Sequence, residues 1–235
     1  MILILIGQVS FAQKMKPEET EVWEPEPSVV TPGEGTRPPS DAVVLFDGTS
    51  LDNWEKIDGS AAGWKLEDGA MTVVAGQGDI RTKESFNSFQ LHLEWRSPKE
   101  VKGKGQGRGN SGVFLQETYE VQVLDSYQNR TYSNGQAASV YKQSLPLVNA
   151  CRPPGEWQTY DIIYSAPQFH ADGSLVKPAT VTVIQNGILV QNHYVLKGNT
   201  PYIGFPKYEA HGAKPLKLQD HGNPVSYRNI WIRPL

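Results

Sequence analysis

GRGNSGVFLQETYEVQVLD, residues 107–125, decides how this chain folds. It opens as a glycine-rich loop and then reads as two short strands, residues 111–116 and 119–124. In the second, Tyr119, Val121 and Val123 fall on one side and Glu120 and Gln122 on the other, the two-residue period of a half-buried strand. Upstream, FQLHLEWR (residues 89–96) repeats the design, with Leu91, Leu93 and Trp95 set against His92, Glu94 and Arg96. If the two strands are neighbours, their reverse sides merge into one polar surface carrying Glu94, Arg96, Glu120 and Gln122. Carboxylates, an amide and a guanidinium on a flat sheet make an expected floor for a sugar.

The remaining apolar runs are equally short. They cover residues 43–46, 71–75, 138–143, 156–165, 179–185, 188–196, 216–219 and 225–233, each bounded by turn residues. Asn186-Gly187 between two β-branched runs is a two-residue hairpin signal. With 17 prolines and 22 glycines, no stretch sustains a helical period. The pattern predicts an all-β sandwich or jelly roll of two antiparallel sheets, with a closed barrel as the alternative.

At 235 residues with a net charge of −3, the chain can bury a sizeable core but offers no general electrostatic footprint for nucleic acid. The lone Cys151 excludes an internal disulfide and a cysteine-rich metal site, and nothing beside it would activate a thiol. The apolar run at residues 2–6, followed by small residues, reads as the remnant of a signal peptide over residues 1–13. It is too short to span a bilayer, so the expectation is a secreted or periplasmic protein without a transmembrane anchor. Residues 14–40, dense in proline and glutamate, read as a linker or arm, and residues 41–235 as the folded domain.

Several clusters could carry chemistry. Gly103, Gly105, Gly107 and Gly109 precede a strand, not a helix, so they do not form a phosphate loop; with Lys99, Lys102, Lys104 and Arg108 they read as a solvated lip. Asn110 either satisfies the backbone at the start of a strand or points at sugar hydroxyls. Glycosidases that use a carboxyl pair hold the two groups about 5–9.5 Å apart. On a regular strand Glu120 and Asp125 face opposite ways, roughly 16 Å apart, so ordinary double displacement does not fit. Gln219, Asp220 and His221 form a polar knot in which histidine is the natural group to titrate near neutral pH. Tyr141 lies on a candidate strand beside the same surface. Arg228 falls in step with Ile230 and Ile232 towards the core, where it would need Glu94 or Asp220 as partner. The spacing of the five histidines matches no compact metal motif, so metal and cofactor requirements stay open.

Taken in order, LFDGTSLDNW (45–54), FQLHLEWR (89–96), GNSGVFLQ (109–116), YEVQVLD (119–125), GEWQTYDI (155–162), NGILV (186–190) and LQDHGNPVSYRNIWIRPL (218–235) resemble the bacterial 3-keto-disaccharide hydrolase domain family. The resemblance covers the whole expected domain, with residues 101–108 departing from the pattern. It implies a concanavalin A-like jelly roll, secretion, and an oligosaccharide or glycoside substrate already oxidised to a ketone at C3. A C3 ketone acidifies the C2 hydrogen, so one base can start elimination of the C1 substituent, with hydration completing a net hydrolysis. On that reading Glu120 or His221 is the base and Asp125 a helper. Arg96, Gln122 and Asn110 are donors to the developing oxyanion, and Glu94, Tyr141, Gln219 and Asp220 hold the sugar. A divalent metal would also serve as the donor. A carbohydrate-binding module without catalysis, or a plain structural domain, would use the same fold.

Overall fold

The structure, a computed structural model, describes residues 15–235; the expected signal peptide remnant lies outside the described residues. Fifteen strands follow in chain order. They are β1 (Val43–Phe46), β2 (Trp54–Lys56), β3 (Lys65–Glu67), β4 (Ala70–Thr72) and β5 (Ile80–Phe86). Next come β6 (Phe89–Arg96), β7 (Ser111–Leu115), β8 (Tyr119–Val123), β9 (Gln158–Ser165) and β10 (Gln168–Phe169). The last are β11 (Leu175–Lys177), β12 (Thr180–Gln185), β13 (Ile188–Val195), β14 (Lys214–Leu218) and β15 (Ser226–Pro234). Among the described residues no helix is long and apolar enough to cross a membrane.

Two antiparallel sheets make a sandwich. The larger runs β13-β12-β9-β6-β15-β4-β3, with β1 on the same edge of β15 as β4. The smaller runs β2-β5-β14-β7-β8, and β10 pairs with β11 apart from both. The predicted apolar faces meet between them: Leu91, Leu93 and Trp95 from β6, Tyr119, Val121 and Val123 from β8, all in one core. Each such side chain contributes about 1.5–3 kcal/mol when fully buried. Asn186 and Gly187 turn the β12–β13 hairpin with φ +52° and +80°, as the primed turn requires.

Three tyrosines of the larger sheet cross the core and donate hydrogen bonds to the smaller one. Tyr160 reaches the Gln122 carbonyl at 2.8 Å, Tyr164 the Gln116 Oε1 at 2.8 Å, and Tyr227 the Ser111 Oγ at 2.7 Å. Ser111 in turn donates to the Gln219 carbonyl at 2.6 Å.

The strand expected over residues 138–143 does not form. Ala138 and Lys142 take φ of +62° and +57°, which breaks any extended run, and only Val140 bridges to Val121. The segment nevertheless covers the free edge of β8, since Ser139 and Glu120 carbonyls accept from Gln122 and Tyr141 N–H groups at 3.0 and 3.1 Å. Strands β2, β3 and β5 were not foreseen, because Lys65–Glu67 is wholly exposed and RTKES within β5 looks polar throughout.

Glu94 and Arg96 correct the expected shared surface. Strands β6 and β8 lie in different sheets, so their polar sides look outward from opposite faces of the sandwich. Residues 31–40, assigned to the arm by composition, belong to the compact body that begins at Thr31. They cover the reverse of β6. Glu94 there accepts from Arg228 Nε at 2.7 Å, Asn229 Nδ2 at 3.0 Å and Thr36 Oγ1 at 3.2 Å. Arg228 is not core-facing: a bulge at Asn229, φ +46°, puts it opposite Glu94 while Ile230 stays inside. Arg96 and Arg228 lie over the ring of Trp157, at 4.6 and 4.1 Å from its centroid.

The His92 ring, with Asn229 and Arg228, holds the Glu94 carboxyl down to about 2 against the opposing effect of burial. Burial works to lower His92, but Asp161, 2.7 Å from its Nδ1, and Glu94 outweigh it and raise the ring to about 9. Both shifts stabilise the fold over a definite window. The histidine's contribution is complete below its ordinary value near 6.5 and lost as pH rises through 9; the glutamate's is complete above 4.5 and lost towards pH 2. Two outcomes are expected from thermal melts. Glu94→Ala costs about 1.5–3 kcal/mol, because Arg228, itself partly exposed, and Asn229 lose a charged acceptor. Tyr164→Phe costs about 1–3 kcal/mol, because Gln116 Oε1 is left buried without a donor.

Candidate active site

Five strands of the smaller sheet place one residue each in a row across its outer face. The register runs Glu55 on β2, Arg81 on β5, Lys217 on β14, Phe114 on β7 and Glu120 on β8. Arg81 pairs with Glu55 and Glu117 at 3.0 and 3.2 Å, and the Lys217 ammonium sits 3.0 Å from Asp79 and 3.9 Å over the Phe114 ring. The row ends at Glu120, whose carboxyl receives no hydrogen bond from any described residue.

Gly112 makes the space for that carboxyl. Directly across from Gln122 and on the same side of the sheet as Phe114, it would with a Cβ strike Glu120 Oε1 at 2.6 Å and Phe114 at 2.9 Å. Glu120 is therefore fitted against bare backbone and is 5% exposed. Burial raises it to about 8; the Lys217 charge opposes that rise and Asp79 adds to it. A carboxyl shifted into the neutral range at the bottom of a cleft is a mark of acid–base function.

A hollow of about 280 Å³ opens over Glu120. Six residues singled out from the sequence line it, namely Asn110, Glu120, Gln122, Tyr141, Gln219 and His221. Phe114, Thr200 and Tyr202 complete the lining and were not anticipated. Phe114 was legible, since it alternates with Val113 and Leu115 and must share the side of Glu120. Thr200 and Tyr202 were not, because a loop 80 residues downstream carries them; Thr200 Oγ1 accepts from the Glu120 N–H at 3.0 Å. Lys142 ties that loop down through the Tyr202 carbonyl and lies 4.2 Å over its ring.

The polar groups are unevenly committed. Gln122 Nε2 donates to Gln106 Oε1 at 2.9 Å and to the Gly135 carbonyl at 3.4 Å, so it is not the free donor expected, whereas Asn110 Nδ2 spends one of its two hydrogens on the Gln106 carbonyl at 2.7 Å. Gln122 Oε1 is buried with no partner. Tyr141 shares a 2.7 Å hydrogen bond with Tyr132, and burial pushes its hydroxyl up. His221 stands exposed at the rim. Gln106 also reaches Thr131 and the Gly135 carbonyl at 3.0 and 2.8 Å, so the glycine–lysine loop is pinned at this point and is not the free lip foreseen.

Asp125 and Asp220 do not line the hollow. Asp125 is locked to Arg108 Nε at 2.7 Å beneath a neighbouring hollow. Asp220 accepts from the Gly78 and Gly222 N–H groups, both at 2.9 Å, and orients its own turn instead of His221. Of the tryptophans, Trp54, Trp64 and Trp95 are core; the aromatic side chains at the hollow are tyrosines and Phe114. Burial pushes the Cys151 thiol up, in keeping with an inert group. Among the described residues no group of three or more His, Cys, Asp and Glu side chains is gathered to hold a metal; Glu120 and His221 are the ligand types of that kind at the hollow.

Comparison with known proteins places this geometry. A crystal structure of a candidate glycosyl hydrolase from Parabacteroides distasonis is 55% identical and superposes with a TM-score of 0.90, over 94% of this chain and 97% of that one. A second from the same organism, 23% identical with a TM-score of 0.62 over 83% of this chain and 94% of that one, shares the fold. The 3-keto-disaccharide hydrolase of Bacteroides thetaiotaomicron is 23% identical over 82% of this chain and 78% of its own length. The family model for the 3-keto-alpha-glucoside-1,2-lyase-like domain matches residues 41–233, and the chain belongs to that family of carbohydrate-acting proteins.

Proposed function

We propose that the protein cleaves glycosides oxidised to a ketone at C3, with Glu120 as the base that removes the C2 proton. The observation that supports this most directly is Glu120 itself, a carboxyl buried without a hydrogen-bond partner under a polar hollow and raised to about 8. The name of the Bacteroides relative points to the same substrate class.

In the proposed sequence the Glu120 carboxylate takes the C2 hydrogen as a proton, and the C2–H electron pair moves to the ketone as an enolate. The enolate re-forms the ketone as the C1–O bond breaks, leaving a double bond between C1 and C2. Protonated His221, at the rim, gives its proton to the departing oxygen. Water then adds to C1, surrendering a proton to His221 while Glu120 returns one to C2. Both groups end as they began, and the net change is addition of one water across the glycosidic bond. Gln219 and the Tyr141 hydroxyl, itself hydrogen-bonded to Tyr132, line the hollow and are the donors proposed for the enolate oxygen. A secreted or periplasmic site of action, expected from residues 1–13, belongs to the same proposal.

Three outcomes follow for turnover of 3-keto-glycosides, read by release of reducing sugar. Glu120→Gln lowers kcat by roughly 10²–10⁴; a variant with full turnover excludes this base. For a phenyl 3-keto-glucoside, whose oxygen leaves without a proton from His221, the unaltered chain gains rate as pH rises towards about 8 and levels above it, since only the ionised carboxyl accepts a proton. His221→Asn slows glycosides of simple alcohols more than those of phenols, whose oxygen leaves without protonation.

Stability moves oppositely. With a folded-state value raised from 4.5 to about 8, the folded chain keeps over that range a proton that the unfolded chain gives up, so this group's contribution is complete below 4.5, falls as pH rises through about 8 and is level above it. Glu120→Gln therefore melts higher than the unaltered chain at pH 9, with the difference shrinking towards pH 5.

A further inference from the structure

The turn His221-Gly222-Asn223 divides two hollows. His221 lines the one over Glu120, while Gly222, Asn223 and Pro224 line a second of about 270 Å³. The facing wall changes sides in the same manner, with Asn110 in the first hollow and Gly109 in the second. The walls are tied where they switch: the Asn110 N–H donates to Asn223 Oδ1 at 3.1 Å. Successive Cα atoms stand ~3.8 Å apart, so the hollows adjoin across a ridge about one residue thick. Each falls short of the ~300–1,000 Å³ usual for a complete small-molecule site, whereas the pair has room for a ligand in two parts.

The second hollow has a distinct chemistry. Its four charges cancel in two pairs: Arg108 with Asp125 at 2.7 Å, largely shielded from solvent, and Lys102 with Glu100 at 3.3 Å on the exposed rim. No excess charge remains to attract an anion or a cation. Pro98, Val101 and Pro224 supply apolar wall, and glycines leave the backbone bare between them. Arg108 also donates Nη2 to the Tyr127 carbonyl at 3.0 Å, while its Nη1 has no partner among the described residues. Gly109 brings the backbone close over the ion pair, since a Cβ there would meet Ser97 at 2.8 Å and Asp125 at 3.1 Å. Apolar walls beside a fixed polar edge suit a neutral ring with one hydrocarbon face and one hydroxyl-bearing edge.

We propose that this second hollow seats the leaving group of the reaction, and that it takes a neutral ring, pyranosyl or aryl. The assignment rests on the 3-keto-glycoside cleavage proposed above. It places the oxidised sugar over Glu120, the scissile C1–O bond on the ridge beside His221, and the departing ring against Val101 and Pro224.

The test compares three 3-keto-glucosides differing only in the group on C1, namely methyl, phenyl and glucosyl, with the unaltered chain and with Val101→Asp and Pro224→Asp. Both positions are exposed loop residues, so the fold tolerates the change. The readout is kcat/KM for each ring-bearing substrate divided by that for the methyl glycoside, which cancels general damage to the chemistry at Glu120. The ratio is expected to fall roughly tenfold or more in the variants. A fall confined to phenyl or to glucosyl identifies which ring the hollow takes. A ratio unchanged in both variants overturns the assignment. If the unaltered chain turns over none of the three, the proposed reaction is wrong, and the hollow is judged on binding. Weaker binding of unoxidised phenyl glucoside or of a glucosyl disaccharide by Val101→Asp then upholds a ring site, and unaffected or absent binding of both overturns it.

Discussion

The bonds that Tyr160, Tyr164 and Tyr227 make across the core fix everything else. Each phenol fills apolar space and ends on an acceptor in the β7–β8 region, so it adds direction to otherwise non-directional packing. A sheet held by burial alone could shift against its partner with little change in buried area. Here a shift would strand three buried polar groups at once. The Tyr227–Ser111–Gln219 relay carries this constraint to the outer face, because the Gln219 carbonyl it fixes belongs to a residue at the edge of the hollow. The distance from β7 to the Gln219–His221 turn is thus set from inside the sandwich.

Given a fixed sheet, the row from Glu55 to Glu120 explains why one carboxyl stands apart. Arg81 is shared between two glutamates and Lys217 pairs with Asp79, so the positive charges of the row find partners before the row reaches β8. Lys217 acts on Glu120 only through space, against a larger effect of burial. The aromatic ring of Phe114 occupies the register position between them. Gly112 completes the arrangement by letting the acid sink to the backbone, out of reach of solvent that would otherwise restore its ordinary value. Folds seldom leave such a group without support unless its chemistry is used.

The sequence showed which side of β6, β7 and β8 is apolar, and the reason is local: alternation with period two survives in these strands regardless of context. It therefore also put Glu120, Gln122, Asn110, Gln219 and His221 on faces able to share a hollow. What it could not show is which sheet a strand joins, because pairing partners of β6 are β9 and β15, some 65 and 135 residues away in sequence, and alternation looks the same in either layer. Glu94 and Arg96 were misplaced for that reason alone. Arg228 was misread because one extra residue at Asn229 inverts the side on which everything before it falls. Burial of the polar faces was hidden too, since the covering pieces, residues 31–40 on one side and Ala138 to Tyr141 with Thr200 on the other, carry no pattern that announces what they cover.

The two buried glutamates separate structural from chemical use of the same residue type. Glu94 and Glu120 are 7% and 5% exposed, each near the middle of a strand and on the outer side of its sheet. Glu94 is met by the His92 ring, an amide and a guanidinium, which drive it down to about 2; it stays ionised at any pH the protein is expected to meet, and so cannot move a proton. Glu120 is met by none and rises to about 8, where gaining and losing a proton are nearly balanced. Two glutamates with similarly little solvent exposure thus have opposite chemistry: Glu120 is the more deeply surrounded and also lacks the partners that Glu94 has. A module that only bound sugar would gain from an ionised, fully bonded carboxylate such as Glu94, because a charged acceptor holds hydroxyls more strongly than a neutral acid. Leaving Glu120 unsupported weakens such binding and costs stability, and it brings a benefit only where the carboxyl must exchange a proton with what lies above it.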